Sequence, residues 1–211
     1  TDSWSNEKGL PSSSSYSSRD IAALKRVLTR EIPLIVRADR ASDILFLINF
    51  SVEKNIRLII MGGSEAWMVA KQLANTKTPI ILEPINNLPN SFNQLGARLD
   101  NASLLEKAGV KILIASHETH NSYLSRQAAG IAVSYGLPWD AALKSLTSNV
   151  AEVFGLKKIG MIETGYKADL IIWDKDPLEV SAFAEQIYIS GKLMSNESRS
   201  ARLRDRYLNL D

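Results

Sequence analysis

The sequence contains no cysteine and only two histidines, His117 and His120, among its 211 residues. The absence of cysteine excludes disulfide bonds and thiolate-bound metal sites. No apolar run approaches the roughly 20 residues of a membrane-spanning helix, and the sequence begins without the basic start and apolar stretch of a signal peptide. A net charge of +2 is too small to indicate nucleic acid or an anionic membrane as a partner. We therefore expect a soluble globular protein, whose compartment the composition does not assign.

Four short apolar runs, rich in β-branched residues, follow one another along the chain, and each is followed by a segment with helical spacing of its apolar residues. Such runs predict strands that are buried on both faces. The predicted strands cover residues 32–36, 56–61, 78–83 and 110–115. Asp20 and Ser42 are the predicted N-caps of the first two helices. Because strands that alternate with helices form parallel βαβ units, we predict about four βα units within residues 20–158.

The remaining segments differ in composition from this alternating region. Residues 1–19 are rich in serine and have no apolar period, which predicts a mobile segment. Residues 159–195 change to short strand and turn patterns, with predicted strands at GMIETG, ADLIIWD and EQIYISGKLM. Residues 196–211 are rich in charge, which is typical of a solvated helix or tail. The chain is therefore divided into four predicted segments.

Two segments near the end of the chain are distinctive, and they read LPWDAALKSLTSNVAEVFGLKKIGMIETGYKADLIIWDKDPLE and IYISGKLM. Together they resemble the C-terminal end of the amidohydrolase superfamily, where a helix pair leads to an A-E-x-x-G turn and a G-x-I-E-x-G-x-x-A-D-L segment. Upstream, IPLIVRADRASDI and AGVKILIA resemble the second half of the barrel of the same family. The resemblance is closest to the imidazolonepropionase-like and Xaa-Pro dipeptidase-like branch, and it covers roughly residues 20–195.

The resemblance implies a particular α/β fold for the two larger segments. Residues 20–158 would form the second half of a (β/α)8 TIM-type barrel, as βα units five to eight. Residues 159–195 would be strands of a small β-sandwich beside it. Nothing in this sequence corresponds to the first sandwich strand or to the His-x-His pair with which the family begins. We therefore expect a fragment whose partner is the missing N-terminal half or a second copy, and we expect an oligomer.

The resemblance also implies a zinc site, and the matching positions depart from it. Family members place metal-ligating histidines at the ends of the fifth and sixth strands and an aspartate after the eighth. The matching positions here are Arg37, Gly62 and the run Ser116-His117-Glu118. Arginine offers no lone pair to a metal, and a hydrolytic zinc needs about three protein ligands. We therefore expect no cofactor in this chain, although zinc belongs to the family.

A few polar residues remain as candidates for a site. Arg37 and Asp39 follow a predicted strand, where Arg37 could hold a substrate carboxylate or form a structural ion-pair network with its neighbours. Glu65 begins a predicted helix, which favours a capping role over general-base catalysis. A relocated metal site could use His117, Glu118 and His120, and the alternative for these residues is a polar loop.

By resemblance, the parent protein is a metal-dependent hydrolase of amide or cyclic amide C–N bonds with a small-molecule substrate. This chain alone is expected to be inactive. The alternative is a catalytically degenerate scaffold or binding subunit without metal. The basic residues are scattered and not interleaved with aromatic residues, so nucleic-acid binding is not expected. The sequence holds no G-x-S-x-G elbow, Walker loop or dinucleotide fingerprint that would favour another class of enzyme.

Overall fold

The computed structural model describes residues 17–116, 119–195 and 199–208. Its α-helices, named α1 to α8 in chain order, are Ser18–Leu28, Ala41–Glu53, Ala70–Asn75, Asn101–Lys107, Leu124–Ser134, Trp139–Leu146, Ser148–Phe154 and Arg199–Leu208. Its strands, named β1 to β7, are Leu34–Ala38, Leu58–Gly62, Ile80–Leu82, Ile112–Ile114, Leu170–Trp173, Ala184–Ile189 and Lys192–Leu193. Short 3-10 turns precede α3 and follow β3, at Ala66–Val69, Pro84–Asn86 and Phe92–Gln94.

The first four strands form one parallel sheet in the order β1-β2-β3-β4, which confirms the predicted α/β fold with successive βα units. Helices bury one face of this sheet. The strand residues in that layer are Leu58, Ile60, Ile80, Leu82, Ile112 and Ile114. The described strands form an open sheet, so the predicted half of a closed barrel is confirmed only as four consecutive parallel units.

The opposite face of the parallel sheet is covered unevenly. Ile59 and Leu113 are buried there against Val153 of α7. Ile35 lies beside Ile59 in the register but belongs to the edge strand β1, and it is 45% exposed. No described strand pairs with the outer edge of β1. An apolar side chain exposed next to such an edge leaves surface that a further element can cover.

Each of the four parallel strands begins two residues later than its apolar run predicts. The first residues of three runs, Ile56, Thr78 and Val110, are nevertheless buried. These residues pack in the connection before the ladder begins. An apolar sequence pattern indicates burial and not backbone pairing, so the predicted strands include them. The predicted strands therefore have the correct order and number but the wrong first residues.

Two predicted helix caps are wrong. The N-cap of α1 is Ser17, whose hydroxyl accepts a hydrogen bond from the backbone N–H of Asp20, and the Asp20 carboxylate in turn accepts from the backbone of Ser17. This is a capping box, in which the acidic residue occupies the third helical position. Helix α2 begins one residue before Ser42, and its first N–H, that of Ala41, donates to the distant carboxylate of Glu65 at 3.1 Å.

The last three strands form a separate antiparallel sheet in the order β5-β6-β7. The predicted strands of a small β-sandwich are found among the described residues as this one antiparallel layer. The segment GMIETG is not a strand, because Gly160 and Gly165 adopt φ angles of 79° and 86° that interrupt an extended backbone. Residues 199–208 form a helix, which is one of the two alternatives predicted for the charged tail. No helix in the described part of the chain is long and apolar enough to cross a membrane.

Candidate functional site

Polar side chains collect at the edge of the parallel sheet where the strands end. Arg37 is the last residue but one of β1 and Asp39 follows that strand, Ser64 comes two residues after β2, and Glu83 directly follows β3. Parallel strands carry their carboxyl ends to the same edge, which is where (β/α)8 barrel enzymes keep their chemistry. This group, here named the strand-end cluster, also includes Gln94 from the loop after β3.

Arg37 and Glu83 form a two-point ion pair within the strand-end cluster. The Nη1 and Nη2 groups of Arg37 donate to the two carboxylate oxygens of Glu83 at 3.0 and 3.2 Å. The side chain of Glu83 is only 5% exposed, whereas that of Arg37 is 42% exposed. Hydrogen bonding to Glu83 raises the pKa of Arg37 above its usual range, and the nearby charge of Asp39 adds to this. The guanidinium therefore balances a buried carboxylate, as the structural alternative for Arg37 proposes.

Asp39 is held by uncharged donors. Its Oδ1 accepts from the hydroxyl of Ser64 at 2.8 Å and from the Ser64 backbone N–H at 3.2 Å. Its Oδ2 accepts from the amide of Gln94 at 3.3 Å. The carboxylate of Asp39 occupies the space beside Gly62, where a Cβ would lie 2.8 Å from Asp39 Oδ1. Among the described residues, Asp39 has no salt-bridge partner and its oxygens accept from uncharged donors, while the charge of Arg37 lies near enough to interact with it.

Glu65 connects two loops instead of capping the helix that follows it. One carboxylate oxygen accepts from Ala41 N–H, and the other accepts from Gly96 N–H at 3.0 Å. Its own helical turn, Ala66–Val69, receives no side-chain cap, so the predicted local capping role is wrong. The carbonyl of Gly96 also accepts from the indole N–H of Trp67 at 2.8 Å. Glu65 and Trp67 thus attach the loop after β3 to the sheet edge.

A small cavity lies within the strand-end cluster, with a volume of about 20 Å³. Arg37, Asp39, Ser64 and Glu83 line it, together with Asn101 from the start of α4. A volume of this size holds about one water-sized group. The cavity is therefore too small for a whole metabolite but suits the end of one.

The strand ends do not fit the zinc that the resemblance implies. The fifth-strand position holds Arg37, which is engaged with Glu83. At the sixth-strand position, the carboxylate of Asp39 blocks the space of any side chain on Gly62. No group of three or more His, Cys, Asp or Glu side chains in the described segments could hold a metal ion. Instead of metal ligands, these strand ends supply an ion pair and side-chain amide groups.

Of the three residues of the predicted metal cluster in this loop, the structure describes only His120. His117 and Glu118 lie outside the described residues, so the relocated metal site stays a hypothesis. His120 lies in a 3-10 turn and is exposed to solvent. The strand end before this loop is held by Ser116, whose backbone N–H donates to the hydroxyl of Ser125 at 3.1 Å.

Four polar residues at the site are not among the sequence-based candidates. Glu83 closes the predicted third strand, and a charged residue at the end of a buried apolar run is a signal that could have identified it. Ser64 and Gln94 carry no comparable signal, because their role depends on contact with Asp39 across 25 and 55 residues of sequence. Asn101 begins a helix, where an asparagine is ordinary.

Comparison with known proteins shows what this chain is similar to. The sequence profile of the Amidohydrolase family matches residues 3–194. Amidohydrolase tasK from Hapsidospora irregularis is 45% identical over 58 residues, which are 27% of this chain and 6% of that protein. The similarity to that protein is thus limited to a short segment of each chain.

Solved structures extend the similarity over most of the chain. An amidohydrolase from Thermotoga maritima MSB8 is 30% identical, with a TM-score of 0.78 over 87% of this chain and 49% of that one. A prolidase solved with N-methylphosphonate-L-proline has a TM-score of 0.63 over 86% of this chain and 50% of that one, and its 20% identity shows the fold alone. This chain therefore spans about half the length of these structures. The family match over residues 3–194 settles its membership: the chain belongs to the amidohydrolase family.

Proposed function

We propose that this chain is the C-terminal portion of a hydrolase that acts on amide or cyclic amide C–N bonds, and that the strand-end cluster is part of the active site. One observation carries this proposal. Side chains from three successive parallel strands converge at the carboxyl edge of the sheet, with Arg37, Asp39 and Glu83 at its centre. Barrel enzymes assemble their active sites from several strand ends at this edge.

The active form of the protein is a closed barrel. The exposed Ile35 on the inner face and the unpaired edge of β1 provide surface on which further strands can add. The occupant of this surface is the N-terminal half of the barrel, since the chain spans 49% of the Thermotoga amidohydrolase that it resembles. A second copy of this chain is the alternative occupant. Without either, the site lacks the residues of the other strand ends, and the chain alone has no hydrolase activity.

The residues of this chain act by holding and orienting a substrate. The family is one of metal-dependent hydrolases, but the described strand ends supply no metal ligand set. Asp39 presents a carboxylate fixed by Ser64 and Gln94, and a fixed carboxylate at a site edge orients a polar substrate without first reorganising. Arg37 holds the buried carboxylate of Glu83 in place through two hydrogen bonds. Binding a substrate carboxylate is the second role proposed for Arg37, through its exposed portion.

A binding or scaffold subunit without catalysis is the second candidate function. The ion pair of Arg37 with Glu83 favours it, because it stands at the strand end where the family resemblance implies a metal ligand. An ion pair at that position can preserve the fold and a binding pocket after the metal has been lost. The two functions differ in whether C–N bonds are cleaved.

A hydrolysis screen combined with metal analysis separates the two functions. The protein that contains both barrel halves is assayed with N-acyl amino acids and dipeptides, and its metal content is measured after purification. Turnover of one of these substrates supports the hydrolase. Binding of the same compounds without turnover, in a protein that carries no stoichiometric metal, shows that the scaffold function is correct.

A further inference from the structure

A second and larger cavity borders the amino ends of the first three parallel strands, at the opposite edge of the sheet from the strand-end cluster. Its volume of about 470 Å³ lies in the range of small-molecule sites. Three cations line it, Arg30, Arg57 and Lys77, and no Asp or Glu of the described residues does. This cavity, here named the amino-edge groove, is therefore large enough for a whole small molecule and carries formal charges of one sign.

Two of these cations occupy backbone positions that suit other residue types. Arg30 and Lys77 have φ angles of 62° and 53°, and each follows the last residue of a helix, α1 or α3, by two positions. Glycine or asparagine is usual at such a position, and Asn55 holds the equivalent place after α2 with a φ of 51°. Glycine would fit the backbone with less strain, so the two cationic side chains favour a functional role.

The two arginines of the groove contact uncharged oxygen atoms. Arg30 Nη1 donates to Asn55 Oδ1 at 2.6 Å, and Arg57 Nη2 donates to the carbonyl of Val153 at 2.8 Å. Neither arginine nor Lys77 forms an ion pair with any of the described residues. These hydrogen bonds orient the guanidinium groups and leave their formal charges in place.

The negative charge around the groove is smaller than the positive charge within it. The glutamates near groove residues in sequence are each paired with a cation outside the groove, Glu31 with Arg26, Glu53 with Lys54 and Glu152 with Lys111. Helices α1, α2, α3 and α7 end at the groove, and each end is equivalent to about half a negative charge. Against three full positive charges, this leaves about one positive charge, which suits a monoanion.

The groove also has an apolar portion beside its cations. In the register that pairs Ile60 with Ile80, Arg57 and Lys77 each stand three residues before these partners, so they are neighbours across β2 and β3. Pro33, Val52 and Pro79 line the same groove, and none of these three side chains is buried. A molecule that carries one anionic group on an apolar body matches both portions.

We propose that the amino-edge groove binds a small organic monoanion, a carboxylate attached to an apolar body. Arg57 and Lys77 face the carboxylate, with Arg30 at the same rim, and the apolar body lies against Pro33 and Val52. This site is separate from the strand-end cluster, and it does not depend on whether the protein hydrolyses C–N bonds.

Thermal unfolding of the chain at a fixed protein concentration tests the ligand class. The midpoint is measured in sodium benzoate and in benzylammonium chloride at equal concentration and ionic strength, so that the ring is kept and the charge is reversed. At ten times the dissociation constant, benzoate is expected to raise the midpoint by about 3–6 °C over benzylammonium. Sodium acetate at the same concentration lacks the ring and should raise it by about 1 °C or less.

A matched pair of variants locates the effect. Lys77→Gly and Lys158→Gly each remove a lysine with positive φ, 53° and 58°, but only Lys77 lines the groove. Both variants are expected to unfold about 1–3 °C higher without ligand, because glycine relieves the backbone strain. Only Lys77→Gly should lose at least about half of the benzoate response, since it removes one of two cations at the carboxylate.

Two further measurements separate this groove from the strand-end cluster. Benzoate is expected to shift the backbone amide signals of Asn55 and Lys77 in ¹H–¹⁵N spectra and to leave that of Ser64 unmoved. Arg57→Gln should also weaken the benzoate response. If that variant does not fold, the two lysine variants decide, because neither lysine holds another element in place through its side chain among the described residues.

Several results would overturn the proposal. Equal benzoate responses in Lys77→Gly and Lys158→Gly, or a shifted Ser64 amide with an unmoved Lys77 amide, would place the anion elsewhere. Equal midpoints in benzoate and benzylammonium would show that the groove does not select charge. Equal effects of acetate and benzoate would show that the apolar portion takes no part and that an organic anion is the wrong class of ligand.

Discussion

Arg37 and Glu83 form an ion pair although a whole strand lies between the strands that carry them. The two residues belong to the ends of β1 and β3, and β2 lies between them and ends at Gly62. The guanidinium donates to both carboxylate oxygens, at 3.0 and 3.2 Å. This ion pair ties three strand ends together at the edge where the proposed active site lies.

Breaking the ion pair is expected to destabilise the chain. Arg37→Met leaves the carboxylate of Glu83, which is 5% exposed, without its guanidinium. The expected cost is about 2–3 kcal/mol, which is less than for a fully buried pair because the side chain of Arg37 is partly solvated. In urea unfolding, the double variant Arg37→Met/Glu83→Gln should lose at least about 1 kcal/mol less than the two single variants together. Strictly additive losses would show that the two residues are not coupled.

Gly62 is expected to tolerate alanine less well than another glycine with the same kind of backbone. Gly62 and Gly109 have φ angles of 96° and 82°, so alanine is strained at both positions. A Cβ at Gly62 also meets Asp39 Oδ1 at 2.8 Å, whereas a Cβ at Gly109 meets nothing within 4 Å. We expect Gly109→Ala to cost about 1 kcal/mol and Gly62→Ala about 2–3 kcal/mol in chemical denaturation. Equal costs would mean that Asp39 moves aside freely.

The sequence predicts the layout of the sheet better than it predicts the site. Successive residues of β2 and β4 are buried on both faces of the sheet, and all four apolar runs are continuous enough to be identified. Their first residues are wrong because Ile56 and Val110 are buried before the ladder begins. Arg37 directly follows a run and Asp39 lies two residues further on, so both could be identified. Gln94 and Asn101 could not, since the loop after β3 brings them to the site by contacts that no local pattern encodes.

The start of α1 is expected to depend on pH through Asp20. Hydrogen bonds from the backbone and hydroxyl of Ser17 lower the pKa of Asp20 from its ordinary value of 3.8. A lowered pKa in the folded state means that the capping box stabilises the helix above the ordinary pKa and is lost as the pH falls through the lowered one. Amide hydrogen exchange in the first turn should accelerate in acid beyond its intrinsic pH dependence. In Asp20→Asn this additional acceleration should be absent, and its persistence there would assign it to another group.

The exposed inner face is expected to drive association of the isolated chain. Ile35 is 45% exposed beside the outer edge of β1, with which no strand of the described residues pairs. We expect size-exclusion chromatography with light scattering to give a mass above that of one chain, and Ile35→Asp to shift the population toward the monomer. Val180→Asp is the control, since Val180 is 65% exposed outside the parallel sheet. A stable monomer of the unaltered chain would contradict the proposed need for a second barrel half.

The most direct test of the strand-end cluster as an active site is the kcat/KM for C–N hydrolysis by the protein with both barrel halves, measured for Asp39→Asn and Asp43→Asn. Both variants remove one carboxylate, but only Asp39 lines the cavity. Loss of one charged hydrogen bond to the substrate should lower kcat/KM about 10- to 100-fold in Asp39→Asn, with Asp43→Asn unchanged. Equal kcat/KM values in the two variants and the unaltered protein would contradict the assignment of the active site to this edge of the sheet.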